Sequence, residues 1–375
     1  MKKIIYVTGS RAEFGLMYST LKSIDRNPHL DLNIIVTGVH LTKEHNSLKV
    51  VEQSGLKISK IIHPNVDITK SGTNAAIFSG YLLEELTKAF NEIHPDIILI
   101  EADRYEQLSV AIAATHLGIP IVHVSGGDVS KSMDDAIRHA ITKMAHIHLP
   151  GTEESAERIV KMGEEPWRVH MVGTPIFKDY GSKENVEKEI NLDLSQETFL
   201  VIQHPVNSQV NESEEQMRQT LEAVDSFNKQ TIILYPSGDQ GSEEIIKVIK
   251  EYEKKENFHI FKNLKPAIFM GLLNNVSVMI GNSSAAIVEA PFFKLPAINV
   301  GMREGGRERA ENIIDSPHDI EKIKNAINLA LSTEFKKKLE TMENPYESEK
   351  VEENICEVLK KLKLGEDLIN KKMTY

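Results

Sequence analysis

The sequence contains a single cysteine, Cys356, among its 375 residues. One cysteine cannot form a disulfide within the chain, and such scarcity is typical of proteins in a reducing compartment. The chain also lacks an apolar run long enough to span a bilayer. Its first apolar run stops at Thr8, which is too short for a signal sequence. From these absences we predict a soluble, cytoplasmic protein with no membrane partner.

The sequence has no excess of positive charge. It carries 44 Lys and Arg against 55 Asp and Glu, which gives a formal net charge of −11. An extended nucleic-acid interface requires a basic face, so we predict no nucleic-acid partner. A local basic pocket for a phosphorylated small molecule is compatible with this net charge.

Three cofactor signatures are missing as well. No G-x-G-x-x-G follows the first predicted strand, which argues against a dinucleotide bound in the usual Rossmann manner. No G-x-x-x-x-G-K-[ST] is present, which excludes P-loop phosphoryl transfer. The histidines show no metal-site spacing, and we interpret His146 and His148 as a structural pair along one strand. We predict neither a cofactor nor a metal.

What the chain does contain is a regular alternation of apolar runs and amphipathic segments. Its length suits two domains. In the first half the predicted strands are 3–8, 31–37, 95–100, 119–124, 146–149 and 169–172. After a polar region at 178–197 the pattern restarts, with predicted strands at 199–203, 231–235, 259–261, 278–281 and 295–300. This alternation predicts parallel sheets covered by helices, in two α/β Rossmann-like domains that face each other across a cleft.

Polar residues follow several strands of the first half. In parallel sheets, ligands bind beyond the carboxyl ends of the strands. The residues at such ends are His40, Asp103, Arg104, Ser125 and Asp128. The next predicted helix carries Asp134 and Arg138. Carboxylates in different environments can divide general-acid and general-base work, although Asp134 is equally well explained as a helix N-cap.

In the second half, a strand, a turn and a predicted helix meet at Gly281-Asn282-Ser283-Ser284. Unpaired amides and the helix dipole favour an anion at such a place, and the serines add hydroxyl donors. Arg307 or Arg309 would supply a planar charged fork. The alternative is a serine N-cap on an ordinary strand–helix unit. A turn of the same kind, Gly9-Ser10-Arg11, follows the first predicted strand.

Glu289 lies in the middle of an otherwise apolar predicted helix. A carboxylate is costly to bury without a partner, and a pair of ligand hydroxyls such as a ribose is a natural one. The second domain would then hold a nucleotide, with its diphosphate on Ser283, Ser284 and Arg307.

Seven segments resemble those of the hydrolysing UDP-N-acetylglucosamine 2-epimerases, including the epimerase half of the bifunctional sialic-acid enzyme of animals. They are GSRAEFG, DRYEQL, HVSGGDVSKSMDDAIRHAITKMAHIH, VIQHPVN, SFNKQTIILYPSGDQGS, MIGNSSAAIVEA and INVGMREGGRERAEN. The resemblance covers both halves. It implies the two-domain GT-B fold of B-type glycosyltransferases, with the last helix returning to the first domain. We therefore place the first domain at 1–175, completed by a C-terminal helix at 357–375, and the UDP-binding domain at 176–356.

The resemblance also implies roles for individual residues. Asp103 and Asp134, with Asp128 beside them, would be the acid/base residues, and His204 a polar residue near the phosphates and the sugar. Glu289 would bind the ribose. The remaining UDP contacts would be Arg11, Gly281, Asn282, Ser283, Ser284 and Arg307. The sugar pocket would include His40, Arg104, Ser125 and Arg138.

The implied reaction eliminates UDP with loss of the C2 proton, which gives a 2-acetamidoglucal. Water then adds with the opposite configuration at C2 and yields a free mannose-type sugar. The implied partners are a UDP-sugar and UDP, and the implied assembly is a homodimer or homotetramer.

One departure from the family pattern concerns the substrate. Members that use UDP-N-acetylglucosamine typically read H-I-E-G-G-E where this chain has HVSGGD, so Ser125 replaces a glutamate and Asp128 is shorter. UDP-N-acetylglucosamine is our first reading. The alternative is UDP-2,4-diacetamido-2,4,6-trideoxyglucose, whose sugar lacks the 4- and 6-hydroxyls. A glycosyltransferase of the same fold and a UDP-sugar sensor without turnover are readings of other classes.

Overall fold

The computed structural model describes residues 1–42, 47–130, 134–177, 180–236 and 239–374, apart from the side chain of residue 207. The chain forms two compact units. The first comprises Met1–Asp128, Met133–Phe177 and Tyr346–Tyr375, and the second comprises Val129–Ser132 and Lys178–Pro345. Within the described residues, no helix combines the length and the apolar character that crossing a membrane requires.

The first unit is built on a six-stranded parallel sheet. Its strands are β1 Lys2–Thr8, β2 Leu30–Val36, β3 Ile58–Ile61, β4 Ile97–Glu101, β5 Ile121–Val124 and β6 Ile147–Leu149. Their order in the sheet is β3-β2-β1-β4-β5-β6. The helices are α1 Arg11–Arg26, α2 Leu48–Gln53, α3 Gly72–Ile93, α4 Tyr105–His116, α5 Asp134–Met144 and α6 Glu153–Lys161. The central strands are apolar on both faces because helices cover both.

The second unit repeats this plan. Its strands are β7 Thr198–Ile202, β8 Gln230–Leu234, β9 Phe258–Phe261, β10 Val278–Gly281, β11 Ala297–Val300 and β12 Ile313–Ser316. They pair in parallel in the order β12-β11-β10-β7-β8-β9. The helices are α7 Lys183–Ile190, α8 Ser213–Asp225, α9 Ser242–Glu251, α10 Pro266–Leu273, α11 Ala285–Val288, α12 Ile320–Leu331 and α13 Thr333–Leu339.

Both sheets share one strand order, which reads 3-2-1-4-5-6 when each sheet is numbered from its own first strand. This is the Rossmann order, in which the sequence direction reverses between the first and fourth strands. Ligands bind beyond the carboxyl ends of the strands at that point of reversal. The strand order therefore predicts a ligand-binding position at the ends of β1 and β4 in one unit, and at the ends of β7 and β10 in the other.

The last part of the chain belongs to the first unit. Helix α14 Val351–Lys361 packs on α1, and α15 Glu366–Ile369 follows it. Ile355 and Leu359 of α14 join the same apolar cluster as β1 and α1. Lys2 Nζ donates hydrogen bonds to the carbonyls of Leu359, Lys360 and Leu362, so a charged group caps the end of α14.

The structure differs from the predicted strands mainly at the edges of the sheets. The edge strands β3 and β12 were not predicted, since each is only four residues long and partly exposed. The predicted strand at 169–172 is limited to an isolated bridge between His148 and Val169. The first helix begins at Arg11, the last residue of the predicted turn Gly9-Ser10-Arg11.

A buried carboxylate anchors the C-terminal tail. Glu164 accepts hydrogen bonds from Lys143, from His148 Nε2 at 3.0 Å, and from Lys371 at 2.7 Å. Burial acts to raise the pKa of Glu164, but these three donors outweigh it and lower the pKa to about 2. Arg168, itself buried, donates to the carbonyls of Leu368 and Asp367 in the same tail.

Glu164→Gln should therefore lower the free energy of unfolding of the first unit by about 2 kcal/mol at pH 7, because it leaves cations without their counter-charge. The folded-state pKa lies below the ordinary value of 4.5, so this stabilisation is present above pH 4.5 and is lost as the pH falls toward 2. Urea titrations of both proteins between pH 7 and pH 3 should show the difference shrinking. A constant difference would mean that the charge of Glu164 is not what stabilises the tail.

Candidate functional site

Asp103 lies just beyond the carboxyl end of β4, the edge at which sheets of this strand order bind ligands. It is paired with Arg138 of α5, whose side chain is almost fully buried and donates from Nη2 to Asp103 Oδ2. Arg138 also donates to Asp135 at 3.4 Å. A carboxylate held in this way keeps a fixed orientation, which acid/base work requires. Two of the predicted site residues, Asp103 and Arg138, are thus in direct contact.

The backbone at this edge of the sheet is unusual at two adjacent strand ends. Ala102, just after β4, has φ +55°, and Ser125, just after β5, has φ +57°. Their amides donate to the carbonyls of Val124 and Leu149 on the neighbouring strands. A left-handed conformation at a non-glycine residue costs about 1 kcal/mol and tends to occur at functional sites. One of the two residues, Ser125, is the position that departs from the family pattern.

The other predicted carboxylates differ in environment. Asp128 is buried, and its Oδ1 accepts a hydrogen bond of 2.6 Å from Ser155 Oγ in the first turn of α6. Asp134 is the first described residue of α5 and is partly exposed. Asp128 thus has a structural partner of its own, and the acid/base roles of both residues stay predictions.

Arg11 and Arg104 bring positive charge to the same edge. Arg11 opens α1, and burial lowers its pKa to about 10. A guanidinium removed from water in this way favours an anionic partner. Arg104 pairs with the fully buried Glu106 through two hydrogen bonds, of 3.1 and 3.2 Å. His40 is buried, and its ring nitrogens lie 3.0 Å from Thr8 Oγ1 and 2.8 Å from Ser47 Oγ. Burial lowers the pKa of His40 to about 3, so its imidazole is neutral.

In the second unit, Asn282 joins the ends of β7 and β10. Its Oδ1 accepts from the amide of His204 at 2.6 Å, and its Nδ2 donates to the carbonyl of His204 at 2.9 Å. The preceding Gly281 has φ +132°, and a Cβ there would lie 1.9 Å from the carbonyl oxygen of Ile202. Only glycine permits this approach. Burial, reinforced by Arg303, lowers the pKa of His204 to about 4.

The helix after this turn is shorter than the sequence predicts. Helix α11 ends at Val288, after four residues, and a 3₁₀ turn follows from Ala290 to Phe293. A dipole argument has little force for one turn of helix. Ser283 Oγ accepts from the amide of Ala285, whereas Ser284 makes no side-chain cap bond to this helix. An N-cap role therefore does not explain Ser284.

Glu289 directly follows α11 as its C-cap residue instead of lying in mid-helix. Burial raises the pKa of Glu289 to about 7, against the opposing charge of Arg307. A carboxylate that burial makes costly to ionise fits the prediction that its partner is a ligand.

The basic segment after β11 is organised around one buried acid. Glu304 accepts from Arg303 Nη1 and from Arg307 Nε, both at 2.6 Å. Arg303 Nη1 also lies 3.2 Å from the carbonyl oxygen of Asn282, which places it at the Gly281–Ser284 turn. Arg307 is a predicted UDP contact, whereas no role is predicted for Arg303 from the sequence. The sequence signal that would have indicated both arginines is their position one residue before and three residues after Glu304.

Within the described residues, no three His, Cys, Asp or Glu side chains are grouped as a metal site would need. The first unit thus presents carboxylates and an arginine pair at its strand ends, and the second unit presents a turn, Glu289 and an arginine pair of its own. Such groups suit proton transfer and the binding of a charged, hydroxyl-bearing ligand.

Residues 22–360 match the family model described as UDP-N-acetylglucosamine 2-epimerase. The chain belongs to this family. It is 35% identical to the hydrolysing UDP-N,N'-diacetylbacillosamine 2-epimerase of Legionella pneumophila, over 100% of both chains. It is 34% identical to the hydrolysing GDP/UDP-N,N'-diacetylbacillosamine 2-epimerase of Campylobacter jejuni, over 89% of both. The UDP-N-acetylglucosamine 2-epimerase of Neisseria meningitidis is 30% identical, over 88% of both.

Solved structures of UDP-N-acetylglucosamine 2-epimerases share the fold. One from Neisseria meningitidis bound to UDP-N-acetylglucosamine has a TM-score of 0.80 at 16% identity, and covers 95% of this chain and 99% of its own. One from Methanocaldococcus jannaschii, in complex with UDP-N-acetylglucosamine and UDP, has a TM-score of 0.76 at 19% identity, over 96% and 99%. The prediction of two Rossmann-like domains of the GT-B type is confirmed.

As a member of this epimerase family, the protein is an enzyme, a hydrolysing UDP-N-acetyl-sugar 2-epimerase. The sensor and glycosyltransferase readings are thereby set aside. The roles predicted for individual site residues stay predictions, as do the domain boundaries, the oligomeric state and the cytoplasmic location.

Proposed function

We propose that the enzyme converts UDP-2,4-diacetamido-2,4,6-trideoxyglucose, which is UDP-N,N'-diacetylbacillosamine, into UDP and the free 2,4-diacetamido-2,4,6-trideoxymannose. The observation that carries this proposal is the 35% identity, over the whole of both chains, to an enzyme named for that substrate. Ser125 supports it, because a small side chain replaces the glutamate typical of members that use UDP-N-acetylglucosamine. The substrate that the sequence analysis put second thus becomes the first candidate.

UDP-N-acetylglucosamine is the second candidate. The Neisseria relative named for that substrate is 30% identical, so the margin between the two groups of relatives is small. The sugars differ at C4 and C6, where one carries an acetamido group and a methyl group and the other carries two hydroxyls. A pocket built for one set leaves polar groups unpaired or atoms in collision with the other.

The proposed chemistry has two steps on the sugar. In the first, a base removes the C2 proton while the C1–oxygen bond breaks, so UDP departs and a 1,2-unsaturated sugar remains. In the second, water adds at C1 and a proton returns to C2 from the opposite face. We assign the proton transfers to Asp103 and Asp134, with Arg138 fixing the Asp103 carboxylate. The proposed UDP contacts are Arg11, Gly281, Asn282, Ser283, Ser284, Glu289 and Arg307.

The enzyme should turn over the diacetamido substrate with a kcat/KM at least about 10²-fold above that for UDP-N-acetylglucosamine, since discrimination by unpaired polar groups is strong. NMR in D₂O identifies the products directly. One solvent deuteron at C2 of a mannose-configured sugar is expected, because the C2 proton is lost and replaced. A glucose-configured product without deuterium would indicate simple hydrolysis and contradict the mechanism. A higher kcat/KM for UDP-N-acetylglucosamine would contradict the proposal and identify UDP-N-acetylglucosamine as the substrate.

A further inference from the structure

A buried polar network lies beneath the turn that carries Arg11. Glu13, the third residue of α1, is only 4% exposed, and its side chain folds back over this turn. Its Oε2 accepts from the amide of Gly9 at 2.9 Å, and its Oε1 accepts from Gln107 Nε2. The same Nε2 donates to the carbonyl of Val7 at 2.8 Å. Glu13 therefore ties the end of β1 to the first turn of α4.

A second buried carboxylate stands beside it. Glu106 has no exposed surface and takes both hydrogen bonds from Arg104. The chain after β2 closes over it at Gly38, which has φ +62°, and a Cβ there would lie 2.6 Å from Glu106 Oε1. Glu13 and Glu106 are thus packed close together, and Arg104 forms its ion pair with Glu106.

The charge of Glu13 is set by these neighbours. Burial raises the pKa of Glu13 to about 7, and the charge of Glu106 adds to this, against the hydrogen bonds from Gly9 and Gln107 and the charge of Arg104. The other ionisable groups around this cluster are Tyr6 on β1, Glu101 on β4, Arg11 on α1 and His40 after β2. Gln107 Oε1 is buried and lacks a hydrogen-bond partner among the described residues.

We propose that Glu13 is a positioning residue for nucleotide binding, which fixes the turn from Gly9 to Arg11 and sets the charge that a diphosphate meets at Arg11. The inference rests on the proposed function, in which Arg11 contacts the diphosphate. Because Glu13 occupies the amide of Gly9, it directs the anion to the guanidinium two residues away. An ionised Glu13 opposes the diphosphate, whereas the neutral acid does not.

Nucleotide binding should therefore favour protonated Glu13, and this contribution to UDP affinity falls as the pH rises through about 7. The isosteric variant Glu13→Gln stays neutral at every pH. It should bind UDP within about twofold of the wild type at pH 6, and about fivefold to tenfold more tightly than the wild type at pH 8. Glu13→Ala loses the hydrogen bonds from Gly9 and from Gln107, and should weaken binding about tenfold at all pH values while raising KM more than it lowers kcat.

Isothermal titration calorimetry with UDP from pH 6 to pH 8.5 tests this, with Glu164→Gln as the matched control. That variant neutralises another buried glutamate of the same unit, and it should lower the unfolding temperature without changing the pH profile of UDP binding. The competing explanation is helix capping, since Ser10-Arg11-Ala12-Glu13 has the spacing of a capping box. A lowered unfolding temperature for Glu13→Gln, with a ratio of dissociation constants that is flat across pH, would establish capping alone and overturn the inference.

Arg11→Ala separates this inference from the proposed function. Weaker UDP binding by Arg11→Ala, together with a flat Glu13→Gln ratio, would overturn the role of Glu13 while leaving the UDP site in place. UDP binding unaffected by Arg11→Ala would overturn the inference through its premise. If the wild type binds no UDP, the proposed function itself fails.

Discussion

Asp103→Asn should lower kcat by about 10³-fold and change the dissociation constant of UDP less than about threefold. Proton transfer by a positioned carboxylate contributes about 10²–10⁴-fold to a rate, and asparagine cannot accept the proton. The amide has nearly the same shape and can still accept a hydrogen bond from Arg138, so the pocket should keep its form. Single-turnover rates and UDP titrations on the same preparation measure the two quantities.

Asp135→Asn is the matched control for this experiment. Asp135 is bonded to the same arginine, at 3.4 Å, but it lies on α5 and does not follow a strand. The Asp135→Asn variant should have a kcat less than about fivefold below that of the wild type. Equal losses in both variants would assign the effect to the orientation of Arg138 and remove Asp103 from proton transfer.

Glu289→Gln should weaken UDP binding about 10²-fold at pH 8, because hydrogen bonds from ribose hydroxyls to a carboxylate become bonds to a neutral amide. In the wild type, burial raises the pKa of Glu289 to about 7. Ribose hydroxyls favour the ionised form, so the wild type must lose a proton to bind below pH 7. The advantage of the wild type over the variant should fall about tenfold between pH 8 and pH 6.

Calorimetric titration at both pH values measures this advantage, and Glu251→Gln serves as control. Glu251 is an exposed acid of the same unit, paired with Arg218 on α8, and its loss should leave UDP affinity unchanged. A Glu289→Gln variant with wild-type affinity at pH 8 would show that the ribose is bound elsewhere. The ratio between variant and wild type is independent of Glu13, which both proteins retain.

The architecture could be predicted from the sequence because the buried central strands are continuous apolar runs. Runs such as Ile97–Glu101 and Thr198–Ile202 are buried along their whole length, and each ends in polar residues at the ligand-binding edge. The edge strand β3 escaped prediction since half of its residues face solvent. Helix α3 escaped although Phe78, Leu82, Leu86 and Phe90 recur every four residues, a spacing that indicates a helix.

Side-chain partners were less accessible to prediction than positions. The location of Asp103 after a strand was foreseen, but its pairing with Arg138 joins residues 35 apart and depends on how α5 packs. The same holds for Asn282, which reads as a turn residue and proves to anchor His204 from 78 residues away. Contacts of this kind depend on the tertiary fold, and no local pattern encodes them.

The return of α14 to the first unit has a consequence for the order in which the chain folds during synthesis. The core of the first unit needs Ile355 and Leu359 for its α1 face, so it stays incomplete until α14 has left the ribosome. At about 5–20 residues per second, roughly 9–35 s separate the synthesis of Phe177 from that of Val351. The second unit is contiguous over most of its length and can close in that interval. The unit that is translated first is thus the one that finishes folding last.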